Sequence, residues 1–267
     1  MFLTRGMRLG LRVITGVILA VLYVPLVVVV INSFNSDRAF GWPPAGFTLT
    51  WWSRAAHNAG ALAALRTSVE VGLLSTVIAL VLGTLAAMSL QRYRFFGREA
   101  VSLLVILPIA LPGIVTGIAL NNAFRTILGV QLSLMTLVVA HATFCIVVVF
   151  NNVIARLRRL GGDLEEASMD LGADSVTTFW RITFPLLRTA LLAGGLLAFA
   201  LSFDEIIVTR FTASTTTTTL PIWILDNLFR PNQAPIVNVV ATVLVIASII
   251  PIYIAQRLSG DTSGGRL

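Results

Sequence analysis

The chain has 267 residues, 57% of them hydrophobic and 12% charged, with a mean hydropathy of +0.90, a balance that excludes an ordinary soluble domain. Its formal charge of +7 comes from 19 basic residues, all arginine, against 12 acidic ones. In so apolar a chain that excess is a signature of membrane topology, not of nucleic-acid binding.

Six apolar runs reach the roughly 20 residues that a helix needs to cross a hydrocarbon core of about 30 Å. They are Val13–Ile31, Ser68–Leu90, Val101–Phe124, Leu132–Ile154, Leu186–Val208 and Ile236–Ala255, so the expected fold is all-α, with six transmembrane helices in a single membrane domain over residues 1–267. Arg5, Arg8 and Arg12 precede the first run. Its 19 residues exceed a signal-peptide core, and Asn32-Ser33-Phe34-Asn35 offers no small-residue cleavage site, so it reads as a retained anchor. Asp37 to Arg66 forms a loop rich in Trp, Gly and Pro, in which Trp42 and Trp51-Trp52 suit the membrane interface or contact with an extracytoplasmic partner.

In the third run, Pro108, Pro112, Gly113 and Gly117 allow kinks, as in a helix lining a pathway or in an inert bent span. Cys145 is the only cysteine, so no disulfide or thiol metal site can form within the chain, and His57 and His141 are far apart in sequence. There is no HExxH, P-loop or dinucleotide fingerprint, and hydrolysis by this chain itself is not expected. In the fifth run Ala190, Gly194, Ala198 and Ser202 recur every fourth residue, a pattern that lets a helix approach another span or subunit closely. Thr215 to Thr219 is an exposed-connector composition, and the Gly, Ser and Thr content from Ser259 to Leu267 predicts a flexible tail.

An even number of spans places both termini on one side. With that side cytoplasmic, thirteen arginines lie inside and six outside (Arg38, Arg54, Arg66, Arg125, Arg210 and Arg230), which supports N-in, C-in insertion. The segment Gly161 to Pro185 then lies in the cytoplasm. Asp163 and Glu166 have N-cap and N3 spacing, Gly172 suits a left-handed turn, Asp174 can cap a second short helix from Ser175, and Phe184-Pro185 should stop it. Helix, turn and helix over residues 161–185 make a compact knob.

Within that knob, Glu166-Ala167-Ser168, then Gly172, then Ile182-Thr183-Phe184-Pro185 resembles the EAA loop of binding-protein-dependent ABC importer permeases. The family pattern is EAA, three residues, G, nine residues, I, one residue, LP; Ser168 stands for the second alanine and Phe184 for the leucine. Tyr23-Val24-Pro25, Gly46-Phe47-Thr48, Arg92-Tyr93-Arg94-Phe95, Leu201-Ser202-Phe203-Asp204-Glu205 and Leu220-Pro221 are similar to the second permease subunit of the spermidine/putrescine branch. The resemblance implies the MetI-like permease fold and a place in a bacterial inner membrane. It also implies a homologous permease partner, two cytoplasmic ATPase subunits that bind the ATP and Mg, an extracytoplasmic binding protein, and no cofactor in this chain. Glu166, Ala167, Ser168, Asp170, Gly172, Ile182 and Pro185 would couple to the ATPase, with Glu166 and Asp170 on one helical face.

Carboxylates within a span are expensive and usually face a cavity or a partner, which singles out Asp204 and Glu205. They read either as groups that coordinate polyamine ammonium ions along the pathway, or as interfacial side chains that reach water or pair with Arg210. As adjacent helical residues they would point about 100° apart. Asp226 is a weaker pathway candidate, and Glu70 departs from the family's usual pattern. Rival readings are an importer for another amino compound, a cation complex or an oxyanion, and an ATP-independent channel or carrier.

Overall fold

In the computed structural model, residues 5–38, 42–230 and 232–260 are described. They form helices α1 (Arg5–Asn32), α2 (Thr50–Ala56), α3 (Ala59–Arg92), α4 (Arg98–Ala110), α5 (Gly113–Asn122) and α6 (Leu134–Leu160). Next come α7 (Asp163–Asp170), α8 (Ser175–Thr178), α9 (Phe184–Phe203), α10 (Ile207–Thr212), α11 (Leu220–Asn227) and α12 (Ala234–Gly260). Among the described residues there is no strand, only an isolated bridge between Asn35 and Phe47. Among the described residues four helices, Gly6–Asn32, Ala59–Arg92, Leu134–Leu160 and Ser175–Phe203, are long and apolar enough to cross a membrane, and a bent pair makes a fifth if counted as one span. The sixth predicted span lies within α12. That helix continues through Ser259 and Gly260, where a tail was expected to begin; the rest of the expected tail, 261–267, lies outside the described residues.

The chain divides into two compact units, Met1–Leu62 with Ile224–Leu267, and Ala63–Trp223. In the first, α12 packs on α1 and α2. The side chains of α1 from Val13 to Val24 are exposed all round, as expected of a helix whose solvent is lipid. The Asp37–Arg66 loop is partly helical, holding α2 and the first turns of α3. Trp51 is buried rather than an interface anchor, because its indole N–H donates to Asn35 O at 2.9 Å, and Phe34 stacks on Trp52.

In the second unit α6 is the central element, with Leu137, Cys145, Val149, Phe150 and Val153 buried. Ser133 and Thr136 form a reciprocal capping box at its start. The small-residue stripe of α9 faces α6: a Cβ at Gly194 would lie 3.3 Å from Val149 Cα, and Cys145 Sγ is 3.3 Å from Ala198 O. An adjoining face of α9 meets α3 at Gly195 and Leu80. Gly83 of α3 lies against α6 backbone, where a Cβ would come within 2.9 Å of Ile146 O. Close approach across small residues thus substitutes for the hydrophobic driving force that lipid removes.

The third predicted span is not one helix. It breaks between α4 and α5, whose axes differ by 107°. Leu111 is extended (ψ 145°), as pre-proline sterics favour, and Pro112 offers no N–H to continue the ladder. Gly117 of α5 then lies beneath Phe211 of α10, where a Cβ would be 2.7 Å from the ring.

Candidate functional site

The polar segment between α6 and α9 folds as the expected knob, with two differences. Glycines set its geometry: Gly161 (φ +68°) ends α6, Gly162 is the N-cap of α7, and Glu166 N–H donates to Gly162 O at 3.0 Å. Asp163 is therefore not the cap but the first helical residue. There it stands with Glu165 and Glu166 beside the unsatisfied N–H groups and positive end of the helix dipole. At the far end Gly172 adopts φ +86°; its N–H donates to Met169 O at 2.9 Å and that of Ala173 to Ser168 O at 3.1 Å. These are the paired bonds of a Schellman cap, which need a residue tolerant of the left-handed region.

Asp174 caps α8 by accepting the Thr177 N–H at 3.0 Å. Hydrogen bonds from the Thr177 side chain and backbone hold its carboxyl below the usual value. The second difference concerns Phe184-Pro185, which does not stop the helix. A π-turn over Phe179–Thr183 intervenes, so that Phe184 N–H reaches back to Phe179 O, and Pro185 falls in the first turn of α9 where a missing N–H is harmless. Ser175 to Phe203 consequently runs as one long bent-register helix.

Two side chains of α7, Ser168 and Glu165, tie it down. Ser168 Oγ lies 3.1 Å from Thr178 Oγ1 of α8, so the departure from alanine in the EAA-like run supplies a hydroxyl bridge. The Glu165 carboxylate accepts from Arg92 at the end of α3 and from the Thr183 hydroxyl in the π-turn, at 2.5 Å. Glu165 and Arg92 escaped the sequence reading because they are 73 residues apart and only folding joins them. By contrast Glu166, Ala167 and Asp170 are exposed on α7, with Leu164, Leu171 and Val176 exposed around them. Ile182 is half-buried and Pro185 exposed at the base of α9. A cavity of about 310 Å³ opens between Gln91, Arg92, Gly162, Glu165 and Glu166.

The acidic pair Asp204-Glu205 is not part of a continuous fifth span. α9 ends at Phe203, Asp204 is its C-cap (φ −93°, ψ 2°), and Glu205 lies in the break before α10. The Glu205 carboxylate accepts the Val208 N–H at 2.9 Å, and the Thr209 hydroxyl donates to Glu205 O at 2.8 Å. One acid thus starts a helix while the other, exposed, finishes one. The hydropathy of Ile206, Ile207 and Val208 hid this break, since an apolar run carries no mark of a break without Gly or Pro. Deeper in the same unit His141, fully buried, lies 2.7 Å from Ser202 Oγ and 2.9 Å from Thr209 Oγ1. Asp226 is exposed on α11, within the other unit. A polar cavity of about 510 Å³ runs along α6 and α9, lined by Asn151, Asn152, Arg156, Arg159 and Thr189.

Residues 79–261 match the family described as binding-protein-dependent transport system inner membrane component. The spermidine/putrescine transport system permease protein PotC of Escherichia coli K12 is 35% identical over 248 residues, covering 93% of each chain. The putrescine transport system permease protein PotI of the same strain is 32% identical, covering 92% of this chain and 89% of that one. The fold is that of a bacterial ABC transporter chain involved in import of the acidic polysaccharide alginate, with a TM-score of 0.72 at 16% identity over 98% of this chain and 99% of that one. An all-helical multi-pass chain, a capped knob between two of its long helices, and relatives that match it nearly end to end lead to one conclusion: this protein belongs to the binding-protein-dependent transport system inner membrane component family.

Proposed function

We propose that this chain is a permease subunit of an ATP-driven importer for polyamines, forming half of a translocation pathway that works by alternating access. The observation that carries the reading is the near full-length likeness to PotC, a spermidine/putrescine permease by name. The other half is a homologous permease. An extracytoplasmic binding protein delivers the substrate, and two cytoplasmic ATPase subunits supply ATP and Mg chemistry that this chain lacks. Thirteen arginines inside against six outside support an orientation with both termini and the α7–α8 knob in the cytoplasm.

In this reading the knob docks in the ATPase. Glu166 and Asp170, four residues apart and exposed, meet basic groups there, and Ala167 allows the backbone to come close. Ser168, Gly172, Ile182 and Pro185 hold the shape. Asp204 supplies an exposed carboxylate at the end of α9 for a substrate ammonium group, and Glu205 shapes the joint beside it; Asp226, exposed on α11 in the other unit, is a separate pathway candidate. The test is uptake of radiolabelled putrescine and spermidine by the chain assembled with its partners. Asp204→Asn is expected to raise KM for polyamine while leaving assembly intact. Failure of the wild-type complex to retain an ATPase, or uptake of an oxyanion in place of polyamine, would overturn the reading.

A further inference from the structure

The buried ring of His141 makes contacts on both sides of the α9–α10 break. Ser202, in the last turn of α9, places its hydroxyl 2.7 Å from Nδ1, and Thr209, in the first turns of α10, places its hydroxyl 2.9 Å from Nε2. The direction of each bond follows from the proton count. The single Thr209 hydroxyl proton goes to Glu205 O, 2.8 Å away, so Thr209 Oγ1 must accept from His141 Nε2–H. Nδ1 is then the acceptor, and Ser202 donates to it. A one-way chain therefore runs from Ser202 through His141 and Thr209 to the Glu205 backbone carbonyl. Phe144, one turn along α6, sits against the ring with centroids 5.3 Å apart, and Cys145 contacts Ala198 O on the next turn of the same seam.

This chain spans three helices and ends on the residue whose carboxylate caps α10. A neutral imidazole matches the task because it presents one donor and one acceptor on opposite edges of a rigid ring. An apolar residue of similar size would leave two hydroxyls, both buried, to find new partners. Ser202 could turn to a backbone carbonyl of its own helix and Thr209 would keep its bond to Glu205 O, but α9 and α10 would then no longer be tied to α6 at a common point.

We infer that His141 is the positioning residue of the α9–α10 joint: it fixes the backbone of Glu205, and through it the Glu205 cap on Val208 and the outward placement of Asp204. The consequence for substrate rests on the reading that Asp204 lies on the polyamine path; the consequence for the joint does not. Transport should depend on His141 through affinity rather than through turnover, although the ring itself, being buried, touches no substrate.

The experiment uses the complete importer, with partner subunits, in lipid nanodiscs and proteoliposomes. Hydrogen exchange over residues 204–212 and the KM and Vmax of putrescine uptake are measured for wild type, His141→Leu and His141→Gln. Loss of the bridge in His141→Leu is expected to speed exchange at the Val208 amide about tenfold and to raise KM about tenfold, with Vmax within about threefold. Gln, which keeps a donor and an acceptor, should return both to within about threefold of wild type. If His141→Leu does not assemble, Thr209→Val removes one hydroxyl at nearly constant volume and carries the same expectations. Unchanged exchange overturns the inference, as does a fall in Vmax at constant KM that Gln fails to rescue. Faster exchange in His141→Leu, together with a wild-type complex that takes up no polyamine, supports the joint and overturns the polyamine reading instead.

Discussion

The α7–α8 knob and the α9–α10 joint are both helix–turn–helix breaks, yet they are held in opposite ways. The knob is secured at its margins, by the Schellman bonds at Gly172, the Asp174 cap and the Glu165 bridge to Arg92 and Thr183, and its outer face is exposed. The joint is secured from within, by the buried ring of His141 between two hydroxyls. The contrast fits the proposed roles of the two breaks. If an ATPase grips the knob, its acidic and apolar side chains must stay exposed while it keeps its shape, which fastenings at its edges allow. If the joint aims carboxylates at a substrate, it must hold an angle, which fastenings that converge where water does not compete allow.

The sharpest break in this comparison is Glu166→Arg, which should abolish the knob's docking while sparing the joint. Retention of the ATPase is expected to fall at least about thirtyfold, in line with the roughly 2–5 kcal/mol carried by a close interfacial charge pair. Exchange over residues 204–212 should not change. Membrane insertion with normal ATPase retention would remove Glu166 from the interface. Gly194→Leu attacks the seam beneath the joint: its new side chain has only 3.3 Å to Val149 Cα, and overpacking of about 1–3 kcal/mol should lower the thermal unfolding midpoint of the complex. Unaltered stability there would mean that α6 and α9 separate more readily than their spacing implies.

Gly172→Ala is a smaller perturbation. It forces a Cβ into φ +86° at about 1–2 kcal/mol, enough to loosen the knob locally, with faster exchange of the Gly172 and Ala173 amides as the readout. The smallest effect concerns Asp174. Its carboxyl is held below the usual value by Thr177, so the charged cap contributes fully above the unfolded-state value and is lost as pH falls through the lowered folded value. Exchange at Thr177 should be constant at neutral pH, once corrected for the intrinsic rate, and rise only below about pH 4. Loss of protection near pH 6 would contradict the assignment.

The knob was legible because its signals are local. Glycine at a left-handed position, an Asp three residues before its N–H partner, and acids in a first turn act over a few residues, and the EAA-like spacing names the segment. Even so, the cap of α7 passed to Gly162, and Pro185 entered a helix, the latter because a register change of one residue in a π-turn leaves no compositional mark. The joint was illegible. Asp204 and Glu205 stood out as costly charges, but the break between them depends on Ser202, Thr209 and His141 meeting from three helices.

By itself the sequence determined that the chain is a multi-pass membrane protein, where most of its apolar runs lie, and which polar segment stands outside them. These follow from transfer of side chains between water and lipid, which is additive along the chain. Only the tertiary structure decided that the third run bends by 107° at Pro112, that the fifth ends at Phe203, and that Glu165 and His141 rather than their more conspicuous neighbours hold the two breaks. Those outcomes turn on pairs of groups distant in sequence, whose directional hydrogen bonds exist only once the helices have packed.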